Sequence, residues 1–517
     1  MERKSLELEL LPGEYWWGGI VPDGVKMPFG GGMEAERDMH ASLLGNQGSP
    51  LLLSSRGRAV WSEDTFGFRI TPGKLIIQEA EGELHVDESK SNLAEAFRHA
   101  ANRYFPADGR CPEALFFTAP QYNTWIEMTY EPTQDKTIAY AESVLANGMP
   151  PGVIMIDDNW MQDYGNWTFH SERFPDPRAM TDKLHELGFK VMLWTCPFVS
   201  PDSASFRYLE KRGCLLRDET GKTAIRQWWN GFSAVLDCTN PDAVEWYNGQ
   251  LHTLMDRYGI DGFKFDAGDP EFYRLSDKSA EPRHPNGHCE AWAKVGLDYP
   301  FNEFRACWKS AGKPLVQRLS DKSHSWGNDG LASLIPNGLA QGLLGYAFTC
   351  PDMIGGGQVG DVLNEDFTVR KHVELDQELF VRYAQCSALF PMMQFSAAPW
   401  RVLDKEHLEL NVEAARLHAE YGEEIMALAR HAAETGEPII RHMAYVFPEG
   451  GYEHVRDQFM LGCRTLVAPV LTKGAASRSI ALPPGTWRGD DGNIVEGPCV
   501  FETATPLSRL PRYELID

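Results

Sequence analysis

The 517-residue sequence lacks any run of about 18 consecutive apolar residues, the length that a membrane-spanning helix needs. Its first residues alternate charge with leucine and do not form the apolar core of a secretion signal. We therefore expect no membrane span, and we expect a cytoplasmic protein.

Basic residues are scarce. The chain carries 49 Lys and Arg against 73 Asp and Glu, a formal net charge of -24. A surface of this sign repels phosphate backbones, and no Lys/Arg-rich block offers a local exception. The charge balance therefore argues against nucleic acid as a partner.

Motifs that would indicate a metal or a nucleotide are missing too. The ten cysteines form no Cys-x-x-Cys pair, the histidines form no His-Glu-x-x-His sequence, and the phosphate-binding sequence Gly-x-x-x-x-Gly-Lys-Ser/Thr does not occur. We expect reduced, mostly buried thiols, no metal and no cofactor.

The period of the hydrophobic pattern changes along the chain. Short alternating runs between Gly and Pro predict an antiparallel β-sandwich over residues 1–108 and a second, smaller β-sandwich over 435–517. Over 109–434, strand-like runs alternate with helix-like segments, which is typical of parallel βαβ units. We predict an α/β protein with three domains, in which a (β/α)8 TIM barrel is flanked by the two sandwiches.

Eight apolar runs of the middle segment predict the barrel strands: 115–119, 153–156, 191–195, 234–236, 262–265, 315–318, 345–348 and 391–395. Polar or aromatic residues lie at the end of almost every run or soon after it: Trp125, Asp157 and Asp158, Trp194, Asp237, Asp266, Arg318 with Asp321, Asp352 and Gln394. Barrel strands end at one mouth, so these side chains should converge there. Helix capping could explain some of the acids, but it does not explain the tryptophans.

Asp266 is the most informative of these acids. Phe263 and Phe265 alternate with Lys264 and Asp266, so the ammonium and the carboxylate share one face of a strand. A nearby Lys favours the ionised form of the acid. The alternative is a structural ion pair at a strand end.

An acidic cleft walled by tryptophan suits a sugar, because carboxylates bind hydroxyls and an indole packs on the C–H face. Glycoside cleavage needs two carboxyl groups. Asp266 is the better nucleophile, and Asp321, in the polar loop after the next predicted strand, is the candidate proton donor. Asp329 is a rival, but its surroundings are more typical of a turn and a helix start. Residues 271–300 are expected to be a long connection that shapes the leaving-group side.

The chain carries a series of short motifs: Ile156-Asp-Asp158, Phe174-Pro-Asp176, Leu193-Trp-Thr-Cys-Pro-Phe198, Trp228-Trp-Asn-Gly231, Lys264-Phe-Asp-Ala-Gly268, Ser325-Trp-Gly327, Leu344-Gly-Tyr346, Pro351-Asp-Met-Ile-Gly-Gly356 and Gln394-Phe-Ser396. In this order and at these intervals they resemble glycoside hydrolase family 31. Within that family they resemble the branch of the myogenesis-regulating glycosidase and bacterial α-galactosidases.

The resemblance implies that Asp266 is the nucleophile and Asp321 the general acid/base, in agreement with the choice made from the residues. It implies that Arg318 grips a sugar hydroxyl. The other substrate-binding candidates that it implies are Asp157, Asp158, Lys264 and Asp352 as polar contacts, Trp125, Trp194 and Trp229 as walls, Asn230 as a hydrogen-bonding group, and Trp326. For each indole the alternative is a ring that fills the mouth without touching a ligand.

Two motifs depart from the common α-glucosidases of the family, which carry Gly-Asp-Asn and Asp-Met-Asn where this chain has Ser320-Asp-Lys322 and Phe265-Asp-Ala267. We therefore expect a retaining exo-acting α-glycosidase that acts on an α-galactoside within a small oligosaccharide or glycoside. An α-glucosidase and a transglycosylase that uses the same two acids are the alternatives. A silent sugar-binding barrel is disfavoured, because both acids and Arg318 are present. A homo-oligomer is left open.

Overall fold

Eight parallel strands form a barrel at the centre of the computed structural model, which describes residues 4–361 and 375–517. In chain order the barrel strands are Gln121–Asn123, Val153–Ile156, Lys190–Thr195, Gly262–Phe265, Phe301–Phe304, Gln317–Arg318, Thr349–Cys350 and Gln394–Phe395. Each pairs in parallel with the next as far as the seventh, and the first also pairs with the eighth. A parallel bridge between Met353 and Gln394 closes the ring. The predicted (β/α)8 barrel is confirmed.

Three of the eight predicted runs, 115–119, 234–236 and 345–348, contain no residue of a barrel strand. Residues Leu115–Thr118 form a short helix whose Phe116 and Phe117 pack on Phe301 and Phe348, and the first barrel strand begins at Gln121. Periodicity cannot separate so short an apolar run from a buried helical turn.

The predicted strand at 234–236 overlaps Gly231–Val235, which pairs in a small antiparallel sheet with Ile225–Trp228 and Phe198–Val199. Asp237 therefore does not belong to the barrel mouth. Its carboxylate accepts hydrogen bonds from the backbone amides of Thr239 and Ala280.

The fifth barrel strand, Phe301–Phe304, was missed. Its Phe-Asn-Glu-Phe sequence is not an apolar run, because Asn302 and Glu303 interrupt it. Both polar side chains form hydrogen bonds inside the protein. The seventh strand, Thr349–Cys350, begins just after the predicted run at 345–348. The segment expected to be a connection contains the 3-10 turn Pro270–Phe272 and the helix Pro285–Val295.

Helices follow most of the barrel strands, and one long helix precedes the first strand. Those of nine residues or more are Leu93–Tyr104, Gln134–Ala146, Pro177–Glu186, Ala204–Arg212, Pro241–Tyr258, Pro285–Val295, Leu334–Leu343, Gln377–Ala388, Lys405–Glu420 and Gly422–Thr435. Several start at side chains suited to capping. Asn240, for example, accepts a hydrogen bond from the amide of Asp242, and Pro241 occupies the first helical position. No helix in the described ranges is long and apolar enough to cross a membrane.

Two antiparallel sheets precede the barrel. The first contains Lys4–Glu9, Lys74–Ala80, Gly67–Thr71 and Ala35–Asp38 in that order, and the second contains Phe29–Gly30, Tyr15–Ile20, Gln47–Ser54, Ala59–Ser62 and Leu84–Asp87. Phe29 of one sheet meets Phe68 of the other edge to face, with ring centroids 5.6 Å apart. Cys307–Trp308, just beyond the fifth barrel strand, pairs in parallel with Gln47–Ser54 and ties the sandwich to the barrel.

A six-stranded antiparallel sheet follows the barrel, in the order Ile440–Arg441, Phe459–Leu461, Thr465–Val467, Arg512–Leu515, Ser477–Gly489 and Ile494–Ala504. It has its own apolar cluster, which includes Leu482, Trp487 and Tyr513. The flanking β structure at both ends is confirmed, whereas the boundaries at 108 and 434 stay predictions.

Candidate active site

A cavity of about 210 Å³ opens at the carboxyl ends of the barrel strands. Its lining residues are Trp125, Tyr130, Asp157, Asp158, Trp194, Trp229, Lys264, Asp266, Arg305, Arg318, Asp321, Gln358 and Val359. Nine of the twelve site residues predicted from the sequence are among them. The barrel therefore brings together side chains from segments almost 200 residues apart, as the strand-end rule predicts.

Asp266 lies directly after the fourth strand, and only 8% of the residue is exposed. The indole Nε1 of Trp194 donates a 2.8 Å hydrogen bond to its Oδ2, and Lys264 Nζ lies 4.0 Å from the same oxygen. The other oxygen, Oδ1, is buried and has no hydrogen-bond partner among the described residues. It faces Nε of Arg305 at 3.6 Å. One carboxylate oxygen is thus held by a hydrogen bond, whereas the other faces Arg305 without a hydrogen bond.

Charge decides the protonation state of this acid. Burial alone would raise the pKa of Asp266, but Lys264, Arg305, Arg318 and the Trp194 hydrogen bond outweigh it and hold that pKa well below its usual value. Asp266 is therefore ionised at neutral pH. An ionised carboxylate with an oxygen that accepts no hydrogen bond is equipped to act as a nucleophile.

The backbone after Asp266 turns through the left-handed region, with φ of 54° at Ala267 and 73° at Gly268. A Cβ atom on Gly268 would lie 2.2 Å from Cδ1 of Trp292. Glycine is thus required for two reasons, the positive φ and the closeness of the indole. This turn sets the position of Asp266 at the mouth.

Lys264 has a closer partner than Asp266. Its Nζ donates a 2.7 Å hydrogen bond to Oδ2 of Asp157, and both residues are almost fully buried. Burial alone would lower the pKa of Lys264, but the carboxylates of Asp157 and Asp266 outweigh it and raise that pKa. Lys264 is therefore a buried cation shared between two carboxylates.

Arg318, at the end of the sixth strand, holds three acids. Its Nη1 donates to Asp321 Oδ1 at 2.8 Å and to Asp352 Oδ1 at 2.6 Å, and its Nε lies 3.3 Å from Oε1 of Glu303. Arg318 and Asp352 are fully buried, whereas the side chain of Asp321 is 28% exposed. Asp321 is thus the most exposed member of this group and lines the cavity, whereas Asp352 is not part of the lining.

Asp158 lines the cavity, and its environment opposes its charge. Burial, together with the neighbouring Asp157, raises the pKa of Asp158 to about 7. Asn230 donates to it at 2.6 Å, and the hydroxyl of Tyr164 at 3.2 Å. Asn230 therefore contacts Asp158 instead of lining the cavity itself.

The aromatic candidates divide into three kinds. Trp194 is almost fully buried, and Trp125 is held by a hydrogen bond from its Nε1 to the carbonyl of Gly357. Trp229 is 42% exposed and stands at the rim. Trp326 does not line the cavity, because its indole is turned to Asp376, to which it donates at 3.0 Å.

The rival acid Asp329 is exposed and also lies outside the cavity lining. Its carboxylate accepts a 2.6 Å hydrogen bond from the hydroxyl of Ser325, as expected for a turn.

Reasoning from the sequence missed Arg305, Tyr130, Gln358, Val359 and the buried Glu303. Arg305 and Glu303 belong to the unrecognised fifth strand and to its end, so a correct strand assignment would have pointed to both. Tyr130 and Gln358 lie in loops, where no local pattern marks them.

Within the described ranges no group of three His, Cys, Asp or Glu side chains is arranged to hold a metal ion. All ten cysteines are free of disulfide bonds in the structure.

Two family models match the chain. Residues 119–421 match the glycosyl hydrolases family 31 TIM-barrel domain, and residues 436–513 match the glycosyl hydrolase family 31 C-terminal domain.

Curated relatives agree with the family models. The chain is 34% identical to the myogenesis-regulating glycosidase of Mus musculus over 429 residues, which are 81% of this chain and 58% of the relative. It is 25% identical to an alpha-glucosidase of Saccharolobus solfataricus over 425 residues, which are 72% of this chain and 59% of the relative. The chain thus spans a little over half the length of these relatives.

Solved structures share the fold. A GH31 dextranase of Flavobacterium johnsoniae complexed with glucose superposes with a TM-score of 0.86 at 19% identity, covering 99% of this chain and 66% of that one. A GH31 alpha-xylosidase from a soil metagenome, complexed with xylose, superposes with a TM-score of 0.82 at 20% identity, covering 99% of this chain and 79% of that one.

Proposed function

The chain belongs to glycosyl hydrolase family 31, and we propose that it is a retaining, exo-acting α-glycosidase with Asp266 as nucleophile and Asp321 as general acid/base. One observation carries the proposal. Asp266 is ionised and has a buried oxygen without a hydrogen-bond partner among the described residues, in the same cavity as a second, partly exposed carboxyl group. Glycoside cleavage with retention requires such a pair.

In the proposed first step, Oδ1 of Asp266 bonds to the anomeric carbon as the bond to the leaving oxygen breaks. Asp321 gives its proton to that oxygen. Arg318 donates to Oδ1 of Asp321 in the structure, so Oδ2 is the oxygen that would carry the proton. Asp352 and Glu303 also lie beside Arg318 and offset its charge.

In the second step Asp321 removes a proton from water, the water oxygen attacks the anomeric carbon, and the bond to Asp266 breaks. Two inversions leave the sugar in its original α configuration. We expect the two carboxyl groups to lie about 5–5.5 Å apart in the substrate complex, since inverting enzymes separate theirs by roughly 6.5–9.5 Å.

Buried groups would hold the cleaved sugar. The carboxylates of Asp157 and Asp158 and the ammonium of Lys264 offer hydrogen bonds to its hydroxyls, and the Trp125 and Trp194 indoles offer flat apolar surfaces. Lys264 also offsets the charge of Asp266 until the covalent bond forms.

We favour an α-galactoside as substrate. The support is the departure of Ser320-Asp-Lys322 and Phe265-Asp-Ala267 from the pattern of common α-glucosidases, together with the resemblance to the α-galactosidase branch. An α-glucoside is the second candidate, because one relative is named an alpha-glucosidase. Rates on 4-nitrophenyl α-galactoside, α-glucoside, α-xyloside and α-sulfoquinovoside decide between them, and a clear preference for the glucoside would overturn the sugar choice alone.

The roles of the two acids are tested with azide as an external nucleophile. Asp266→Ala abolishes turnover, and azide then attacks the substrate directly to give a β-glycosyl azide. Asp321→Ala still forms the covalent intermediate from an activated substrate, so azide gives an α-glycosyl azide. The control is Asp329→Ala, which alters an exposed acid outside the cavity and should retain full activity. The same azide anomer from both variants, or activity in Asp266→Ala, would refute the assignment.

A further inference from the structure

One loop of the N-terminal sandwich reaches the segment that carries the proposed acid. Residues 39–46 connect the two sheets of the sandwich, and Asn46, at the end of this loop, is only 1% exposed. The side-chain amide of Asn46 binds Ser320, which directly precedes Asp321. Its Oδ1 accepts a 2.9 Å hydrogen bond from the backbone amide of Ser320, and its Nδ2 donates a 2.8 Å hydrogen bond to the Ser320 hydroxyl. Two bonds from one amide fix both the position and the orientation of Ser320.

The residue on the other side of Asp321 is anchored as well. The backbone amide of Lys322 donates a 2.7 Å hydrogen bond to Oδ2 of the fully buried Asp352. Asp321 is thus the middle residue of a short segment in which each neighbour is held by a buried side chain. Because the neighbours fix the backbone of Asp321, they also fix the point from which its carboxyl group reaches a leaving oxygen.

The loop itself is fixed against the barrel. Gln47, which follows the loop and is fully buried, donates from Nε2 to the carbonyl oxygens of Arg305 and Arg318, the latter at 2.9 Å. Within the loop, φ is 57° at Ala41 and 51° at Leu44. Positive φ is unfavourable for residues that carry a side chain, so it persists where surrounding contacts determine the backbone. The contacts with the barrel therefore set the shape of the loop.

We propose that Asn46 is a positioning residue for the general acid/base, because it holds Ser320 and thereby places the Asp321 carboxyl group at the leaving oxygen. This inference rests on the proposed function, in which Asp321 protonates that oxygen. Asn46 does not line the cavity, so it acts through Ser320 and not by touching the substrate. The N-terminal sheets therefore take part in catalysis although they supply no reacting group.

The competing role is structural, in which Asn46 only joins the loop to the barrel. Asn286 provides a matched comparison, because it joins the same loop to the barrel through other residues. It is fully buried, its Oδ1 accepts from the amide of Ala41 at 2.9 Å, and its Nδ2 donates to the carbonyl of Met39 at 2.9 Å. Asn46→Ala and Asn286→Ala thus each remove a pair of hydrogen bonds between loop and barrel, but only the first releases the neighbour of Asp321.

The two roles separate when the leaving group varies in its need for a proton. A 2,4-dinitrophenolate departs without a proton, whereas a 4-methoxyphenolate requires one from the general acid. The measured quantity is kcat/KM on the 2,4-dinitrophenyl α-glycoside of the preferred sugar divided by kcat/KM on the 4-methoxyphenyl α-glycoside. Both values report cleavage of the glycosidic bond, so the later role of Asp321 as a base does not enter the ratio. Loss of folded protein lowers both values together and leaves the ratio unchanged.

In Asn46→Ala we expect kcat/KM to fall about 10- to 100-fold on the methoxyphenyl glycoside and less than about threefold on the dinitrophenyl glycoside, because a misplaced acid loses part of its catalytic effect. Ser320→Ala keeps the backbone bond to Asn46 and loses the hydroxyl contact. It should raise the ratio by a smaller factor, which provides a second test if Asn46→Ala folds poorly. In Asn286→Ala the ratio should stay within about twofold of wild type.

A ratio within about twofold of wild type in both Asn46→Ala and Ser320→Ala would overturn the inference, and so would an equal rise in Asn286→Ala. Failure of the proposed function gives a different result. Asp321→Ala should itself raise the ratio more than Asn46→Ala does. If Asp321→Ala lowers both kcat/KM values equally, or if the wild-type protein cleaves neither glycoside, the assignment of the acid is wrong.

Discussion

The buried pair formed by Lys264 and Asp157 yields a quantitative prediction. The ammonium lies 2.7 Å from the Asp157 carboxylate and 4.0 Å from that of Asp266, and all three residues are buried. At an effective dielectric constant of about 20, unit charges 2.7 Å apart attract by roughly 6 kcal/mol, most of which offsets the loss of hydration. Lys264→Met removes the attraction and leaves two carboxylates buried beside a methionine. We expect it to lower the free energy of unfolding by about 3–5 kcal/mol.

A double substitution separates the loss of the Lys264–Asp157 ion pair from the cost of burying an unpaired charge. In Lys264→Met/Asp157→Asn the unpaired charge at 157 is gone, and the asparagine oxygen can still accept the amide hydrogen bond from Asp158. The double variant should therefore be more stable than Lys264→Met alone, with a coupling energy of about 2 kcal/mol or more. Urea unfolding followed by tryptophan fluorescence measures all four members of the cycle. A coupling below about 0.5 kcal/mol would refute the view that Lys264 serves to neutralise Asp157.

Three further predictions concern protonation and backbone geometry. The pKa of Asp158 is raised to about 7, so its contribution to stability is present at low pH and is lost as pH rises. At pH 8, Asp158→Asn should therefore increase the free energy of unfolding by at most about 4 kcal/mol and raise the melting temperature. The same change should lower kcat/KM. An unchanged melting temperature would contradict this. Burial lowers the pKa of His418 to about 4, so the contribution of neutral His418 to stability is complete above about pH 6.5 and is lost as pH falls. His418→Gln should remove about 2 kcal/mol of the stability difference between pH 7 and pH 5. A pH dependence of stability equal to that of wild type would argue against this. Gly268→Ala should lower the free energy of unfolding by about 2–4 kcal/mol and lower kcat, because the methyl group meets Trp292 and φ is positive. Circular dichroism melts and steady-state kinetics measure the two effects. Wild-type values for both would disprove the need for glycine.

The strand that carries Asp266 illustrates what local sequence can reveal. Phe263 and Phe265 alternate with Lys264, and a glycine turn follows, so both the strand and its acidic end were recognisable from adjacent residues. The same reasoning failed for Phe301–Phe304, where Glu303 and Asn302 interrupt the apolar pattern. Glu303 is tolerated inside the barrel because Arg318 and Gln394 approach it from other strands.

The acid closest to Lys264 in the structure is not the one that the sequence indicated. The sequence placed Lys264 beside Asp266, two residues along the same strand, and that proximity is real at 4.0 Å. The shorter contact, however, is with Asp157, more than 100 residues away on a strand separated by one neighbour in the sheet. Spacing along a strand predicts which side chains share a face, but it does not predict which of several nearby acids is closest.

By itself, then, the sequence determined the barrel class, the flanking β structure and most of the residues that line the cavity, because strand ends, turn residues and acid positions are set by neighbours along the chain. Only the tertiary structure decided that Arg305 and Glu303 belong to the site, that Trp326 turns to Asp376, and that Asn230 supports Asp158 from behind. The physical reason is that burial, pairing and unpartnered donors arise from contacts between segments far apart in sequence. A short strand with polar residues has no local signature until those segments pack around it.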